Sequence, residues 1–519
     1  MVWEPELSSM RRREQLAGEM GGEERVARQR SSGRLTVRER LARFLDAGSF
    51  VELGALAGRA SYEQDGQLAD FTPSNLITGH GLVQGRPVVV AADDFTVRGG
   101  AADAAIHEKQ VHAEALAGQR REPLVRLVDG TGGGGSIRQL EDLGHTYVPF
   151  NPGWDEVVAN LGRIPVVGCV LGPVAGLGAA RAVTSHYSVM VRGTTQLFAA
   201  GPPVVQWAFG REVSKEELGG AAMHTTESGA VDDAVDSEEE LFERVRAFLS
   251  YLPSSAWELP PTVSSDDDPH RIEPELRELV PRDRREPHDP RRLLELVFDR
   301  GSVLELTREF GGSTITALAR LDGHPVAVVT EDPAVLGGGM TADAARKLER
   351  FVDLADTFHL PLVRLVDQPG FVVGVEAERD GTMRAGARAL AAVYQARVPQ
   401  FTVVVRRMFG VAGAGHSAHH RAQERVAWPS ADWGSLPLEG GIEAAYRRDL
   451  EAADDPAALR ARIDAQMERI RSPLRTAERF GIERMIDPAE TRAILTGWVG
   501  NAYRVLGHDL GPPPRGPRP

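Results

Sequence analysis

Two glycine- and alanine-rich turns carry the strongest chemical signal in this sequence: GPVAGLGAA at 172–180 and GVAGAG at 410–415. Each follows an apolar run, VVGCV (166–170) in one case and FTVVV (401–405) in the other, and so reads as a strand turning into a helix. Backbone N–H groups left open at such a turn can stabilise a developing oxyanion, and small residues let the reacting group come close. Removal of a proton next to a thioester carbonyl is one reaction that needs such a site. For either run alone the plainer reading is a tight turn that requires positive φ or close helix packing. A third run, DGTGGGGS (129–136), occupies the place taken by DQPGF (367–371) later in the chain. It lacks both the Lys-Ser/Thr of a phosphate loop and the acidic partner of a dinucleotide fold.

No acid–base pair or nucleophilic triad stands out among the other polar residues. His224, His416, His419 and His420 lie near the turns, but HSAHH has no Glu in an HExxH arrangement, so a polar loop is expected there rather than a metal site. Asp129 and Asp367 end apolar strands, where they are expected to cap the following loops. Cys169, the single cysteine, sits inside VVGCVLG and reads as a buried small hydrophobe; it excludes an intramolecular disulfide and a four-cysteine zinc ribbon.

The elements that position these residues occur twice. PLVRLVD at 123–129 recurs at 361–367, and the offset of 238 holds back to GRPVVV (85–90) and GHPVAV (323–328). The same offset pairs Asp94 with Asp332, Gly99-Gly100 with Gly337-Gly338, and Lys109 with Lys347. Upstream, LARFLDAGSFVEL (41–53) faces LELVFDRGSVLEL (294–306), a helix, a glycine turn and a short strand in each copy. Downstream, 166–180 is laid opposite 401–415. A duplication of this kind fixes the architecture as an α/β chain of two like domains, each with a parallel-leaning sheet. The expected divisions are a polar helical extension (1–34), a first domain (35–255), a Pro- and charge-rich linker (256–285), a second domain (286–506) and a disordered tail (507–519).

Composition narrows the class further. A formal charge of −14 argues against a nucleic-acid footprint, no apolar run reaches the roughly 20 residues of a membrane span, and the amino terminus lacks a signal-like apolar segment, so a cytoplasmic protein is expected. Lys109, Lys215 and Lys347 are the lysines among 60 basic residues, and none lies in a Met-Lys-Met context. No lysine therefore stands in the context expected of a covalently carried prosthetic group.

ELGGAxxHxxxSG (within 211–229), GPVAG, GTTQLFAAGPPVV (193–205), LVDQPGF and AWPSADW (427–433) resemble, in order and spacing from about residue 35 to 505, the signature segments of the carboxyltransferase β subunits of biotin-dependent acyl-CoA carboxylases. The resemblance implies two tandem crotonase-like domains of the ClpP/crotonase superfamily, a hexamer, and active sites built between the first domain of one subunit and the second domain of its neighbour. It further implies transfer of a carboxyl group from carboxybiotin, supplied by a partner carrier, to the α carbon of an acyl-CoA, with no side-chain base and no metal in this subunit. The partners implied are a biotin carboxylase and a biotin carboxyl carrier. Carried over by position, the N–H groups of Gly176 and Leu177 hold the enolate oxygen and those of Val411 and Ala412 hold the ureido oxygen of biotin. Gly132, Gly133, Lys109, Gly410 and Ala414 are carried over as substrate-binding positions, with Lys109 either approaching a CoA phosphate or simply solvated.

The chain departs from the family pattern at several of these positions. Leu177 stands where members have the second glycine of Gly-Gly, and Val411 replaces the middle residue of Gly-Gly-Ala, where positive φ would be strained. The arginine expected after the first repeated strand is missing, Ala414 stands at a substrate-selecting position usually held by Asp or Ile, and SLPLEGGIEAAYRR (435–448) replaces a Met-Gly-Ala segment. The small Ala414 leaves room for an acyl group larger than acetyl or propionyl. Two alternatives remain: an acyl-CoA decarboxylase running the reverse transfer, and a silent scaffold of a carboxylase complex. A biotin-independent hydratase is disfavoured, because it needs two carboxylates facing the substrate.

Overall fold

The 238-residue offset is reproduced strand by strand in the sheets. The computed structural model describes residues 2–101, 104–131, 137–416 and 424–515. The chain divides into two units, Met1–Glu258 with Gly511–Pro519, and Leu259–Leu510.

In the first unit the strands are β1 (Val51–Leu53), β2 (Gly58–Tyr62), β3 (Leu68–Pro73), β4 (Leu76–Val83), β5 (Arg86–Asp93), β6 (Leu124–Val128), β7 (Val166–Val170), β8 (Pro173–Ala175), β9 (Tyr187–Val191), β10 (Gln196–Phe198) and β11 (Asp233–Val235). Within the described residues the main sheet runs β1-β4-β5-β6-β7-β9-β11, antiparallel as far as β5 and parallel beyond it. β2 and β3 form a hairpin, and β8 pairs with β10 in a short parallel ladder.

The second unit contains β12 (Leu304–Leu306), β13 (Thr314–Leu321), β14 (His324–Glu331), β15 (Leu362–Gln368), β16 (Gln400–Phe409), β17 (Glu424–Ala427), β18 (Asp432–Gly434) and β19 (Arg484–Met485). The order β12-β13-β14-β15-β16-β17-β19 repeats the pattern of directions, with β18 pairing the end of β16 as β10 pairs β8. Even the register repeats: Val89 faces Leu124 as Ala327 faces Leu362. Both copies of the VRLV strand are buried throughout, so the pattern does not alternate, and the one charged residue in each copy is buried with a partner: Arg126 pairs with Glu114 at 2.9 Å and Arg364 donates to His416 O at 2.7 Å.

One register differs from the sequence alignment. Leu124 pairs with Val166, whereas its equivalent Leu362 pairs with Gln400 rather than Phe401. The second-half turn therefore slides by one residue, so that Gly410 matches Gly176 and Val411 matches Leu177.

Local signals account for the helices that lead in. Thr36 and Glu39 form a reciprocal capping box on the helix Val37–Phe44, and Asp289 caps Pro290–Val297, where proline opens the helix. The charged amino terminus forms two helices, Glu4–Gly18 and Glu23–Ser31; between them Gly21 lies so close to Thr96 O that a Cβ would stand 2.0 Å away. Much of the stretch read as a linker folds with the second unit: Val263 N–H donates to Gly323 O at 3.1 Å and Arg271 to Leu296 O at 3.0 Å. In the tail, Gly511 N–H donates to Ala256 O at 2.7 Å. No described helix is long and apolar enough to cross a membrane.

Candidate functional site: two equivalent strand-to-helix turns

In the first unit β7 and β8 lead to Gly176, which adopts φ 59° and ψ −121° before the helix Leu177–Val183 begins. That backbone region is open to glycine alone. Leu177, which replaces a family glycine, begins the helix at negative φ, so the substitution costs no backbone strain. Gly176 N–H already donates to Phe198 O at 3.2 Å, and Gly178 N–H donates to Thr131 O at 3.0 Å. Between them, Leu177 N–H has no hydrogen-bond partner among the described residues. Of the two donors carried over from the family, Leu177 is thus the one not already engaged; Gly176 serves as the hinge.

The second unit repeats the arrangement with one difference. Gly410 holds φ 62° at the end of β16 and the helix Gly410–Ala414 follows. Val411 is not in the left-handed region, so its branched side chain is accommodated in the same way as Leu177. Neither Val411 N–H nor Ala412 N–H has a hydrogen-bond partner among the described residues. Val411 and Ala414, three residues apart, share the exposed face of this helix, whereas Ala412 is buried. Ala414 thus lies on the outward side of the second unit, beside the turn. Gly132, Gly133, His419 and His420 lie outside the described residues.

Each half also holds two neighbouring carboxyl groups at equivalent positions. Asp129 N–H donates to Asp93 Oδ2 at 3.0 Å, and Asp367 N–H donates to Glu331 Oε2 at 2.8 Å. The fully buried Asp129 and Asp367 anchor arginines: Asp129 binds Arg34 at 3.0 Å and Arg40 at 2.9 Å, while Asp367 binds Arg406 at 3.0 Å and Arg407 at 2.6 Å. Arg407 also donates to Gly337 O at 2.8 Å, which fixes the glycine turn beside the site. Asp129 and Asp367 are therefore buried ion-pair hubs, not the loop caps expected from sequence. Burial works against ionisation of Asp367, yet hydrogen bonds and charge from Arg407 and Arg406 hold its carboxyl below the usual range.

Asp93 and Glu331, which accept those backbone hydrogen bonds, behave oppositely. Burial, with the Asp129 charge nearby, pushes Asp93 up to about 7; burial, with the Asp367 charge nearby, pushes Glu331 up to about 8. His416 Nε2 stands 3.2 Å from Glu331 Oε1, and burial beside Arg364 pulls the imidazole down to about 3, so this contact joins a neutral acid to a neutral ring. The folded chain keeps the Glu331 proton to higher pH than an unfolded carboxyl with its ordinary value of 4.5. Its contribution to stability is therefore fully present below about pH 4.5 and is lost as pH rises toward 8. Glu331→Gln removes this dependence. Melting temperatures at pH 5.5 and 8.5 are expected to show the variant gaining on the wild type at the higher pH; a constant difference would mean that Glu331 does not retain its proton.

Lys109 does not stand at the surface. It is 9% exposed with its stem against Gly54, and burial pulls its ammonium down to about 8. Its equivalent, Lys347, donates Nζ to Phe310 O at 3.0 Å, so the repeated lysine fills the same structural place in both halves. Cys169 is fully buried, and burial raises its thiol well above the usual range. His224, taken from the ELGGA-type motif, is buried between Leu197 O and Ser228. The arginines that bind Asp129 were not picked out from sequence, because Arg34 and Arg40 lie about ninety residues upstream. The doublet Arg406-Arg407 interrupting an apolar strand was a signal that could have been read.

The carboxyl transferase domain family model matches residues 28–497. The chain belongs to this family. The carboxyltransferase subunit of propionyl-CoA carboxylase from Haloferax mediterranei is 34% identical over 494 residues, 95% of each chain. The α subunit of methylmalonyl-CoA decarboxylase from Veillonella parvula is 32% identical over 475 residues, 91% of each chain. Among solved structures, the transcarboxylase 12S hexamer with methylmalonyl-CoA bound superposes with a TM-score of 0.85 at 31% identity, covering 99% of this chain and 96% of that one. This carboxyl transferase is accordingly built from two crotonase-like domains and acts as a biotin-dependent acyl-CoA carboxyltransferase subunit.

Proposed function

We propose that the first-half turn binds the acyl-CoA and the second-half turn binds the biotin, and that the physiological direction is carboxylation of the acyl-CoA. The observation that carries this reading is the pair of equivalent turns, Gly176-Leu177 and Gly410-Val411-Ala412, with N–H donors left open in both. Leu177 N–H stabilises the thioester oxygen as it gains charge when the α-proton leaves. Val411 and Ala412 N–H hold the ureido oxygen of biotin, and the open donors at this turn fit an acceptor that gains negative charge as the carboxyl group leaves. When bound, carboxybiotin supplies the carboxyl carbon and the base, so what falls to the chain's own residues is to orient, polarise and exclude water.

The two turns act on one reaction when they belong to different protomers of a hexamer. Exposed apolar side chains support this assembly. In the first unit Trp207 is 88% exposed and Phe209 81%, on the helix Pro202–Phe209 that follows β10; in the second unit Leu336, Val373, Val375 and Val411 are exposed. Such surfaces are covered in a stable assembly. A partner biotin carboxylase and carrier supply the carboxyl group, and the enzyme works in the cytoplasm. The small Ala414 favours acyl chains longer than propionyl. A decarboxylase running the reverse transfer is the second reading, favoured by the likeness to the Veillonella subunit.

The test is a carboxylation assay of the purified chain with a matched biotinylated carboxylase subunit, ATP, bicarbonate and acyl-CoAs from acetyl to long chain. Turnover in that direction with one chain length preferred supports the reading. Carboxyl transfer seen only from a malonyl-type CoA to biotin would favour the decarboxylase. A monomer that remains active in analytical ultracentrifugation fractions would contradict the two-protomer site.

A further inference from the structure

We infer that His224 is a positioning residue for the first-half turn, holding it through the backbone of β10; the inference rests on the proposed role of that turn. The Gly176 hinge is not held by its own helix alone. β8, immediately before it, pairs with β10, so that Val174 faces Leu197, and Gly176 N–H donates to Phe198 O at 3.2 Å. That bond turns the Gly176 N–H inward and leaves Leu177 N–H as the open donor. The direction of the open donor is therefore set by where the Leu197–Phe198 backbone lies.

β10 is itself clamped from its other side by the segment ELGGAAMHTTESG. Gly220 bridges to Gln196, and Gly219 passes so close that a Cβ there would stand 2.1 Å from Leu197 O. After these glycines the chain makes one π-helical turn, Met223–Glu227, in which Ser228 N–H bonds to Met223 O five residues back at 3.0 Å. This widened turn points His224 at β10. His224 Nε2 lies 2.6 Å from Leu197 O, and Nδ1 lies 2.9 Å from Ser228 Oγ. A carbonyl only accepts, so Nε2 carries the proton and donates it to Leu197 O. The ring is 9% exposed, so it acts through β10 and not on substrate. Each part of the motif thus has a physical role. Its glycines permit close approach, its π turn aims the imidazole, and its serine orients the ring.

A shift of about 1 Å in a reacting group costs on the order of 10²-fold in rate. His224→Ala is expected to lower kcat by about 10- to 100-fold while KM for acyl-CoA changes by less than about threefold. His224→Gln, whose amide N–H can reach Leu197 O, is expected to recover most of the loss. Amide hydrogen exchange provides a readout independent of activity: protection across 172–180 and 196–200 falls in His224→Ala and returns in His224→Gln. Unchanged exchange and unchanged kcat in His224→Ala would overturn the inference. So would a general loss of protection and melting temperature that His224→Gln fails to repair, because that marks an ordinary core residue. If the wild type transfers no carboxyl group, the proposed function fails, and the exchange pattern still decides whether His224 holds the turn.

Discussion

Replacing Ala412 with proline is expected to lower turnover by about 10²- to 10³-fold while acyl-CoA still binds, because the change deletes one of the two open N–H donors at the second-half turn. Ala412 lies in the first turn of the helix Gly410–Ala414, where proline's fixed φ is tolerated and its missing N–H breaks no hydrogen bond among the described residues. Because proline also disfavours helical backbone at the preceding Val411 and Ala412 is buried, an unchanged melting temperature is the result that assigns the loss to the donor and not to the fold. Ala412→Gly keeps the N–H and is expected to retain turnover within a few-fold. Since the acyl-CoA is assigned to the other turn, its dissociation constant should be unaltered in both variants. Full turnover in Ala412→Pro, in steady-state assays of the assembled complex, would remove Ala412 N–H from the mechanism.

The second large effect is on stability. Asp367→Asn keeps the shape of the side chain but removes the charge that balances Arg406 and Arg407, and Arg406 is nearly as buried as Asp367 itself. Breaking one partner of a buried ion pair typically costs about 3–5 kcal/mol, since the remaining charge cannot be rehydrated. Denaturant unfolding of the second half is expected to show a loss of that order. Arg406 retains a hydrogen bond to Glu286 O at 2.8 Å, so it is not expected to leave its site and restore the balance. Adding Arg406→Met to Asp367→Asn should return part of the stability, because the uncompensated cation is then gone. A loss below about 1 kcal/mol in the single variant would show that the hub is solvated in solution.

The parts of this protein that could be read from sequence are those coded by local pattern. PLVRLVD recurs because a strand covered on both faces demands a mostly apolar run, with one buried arginine in each copy, and both copies occupy the same register in their sheets. The glycines at 176 and 410 were visible because positive φ at a strand-to-helix turn leaves little choice of residue. The one-residue slip between the turns was not visible: RRMF prolongs β16 to Phe409, where β7 and β8 are separate strands, and only the ladders show which residue faces which. The hubs at Asp129 and Asp367 were misread as loop caps because their partners come from distant helices or from a neighbouring strand, and no spacing rule connects them. Lys109 looked like a surface lysine on a helix, yet it packs inward against Gly54. His224 was noticed but not understood, since its partner is a backbone carbonyl on another strand.

The central claim is that this chain moves a carboxyl group between carboxybiotin and an acyl-CoA by means of backbone donors at two equivalent turns. It is tested most directly by single-turnover transfer of a radiolabelled carboxyl group from a pre-carboxylated biotin carrier to acyl-CoAs of increasing length, catalysed by wild type and by Ala412→Pro. Acid-stable label on the CoA thioester is expected with wild type, slowed by about 10²-fold or more in the variant. Label that stays acid-labile on the carrier with every acyl-CoA, or equal transfer by the two proteins, would contradict the account.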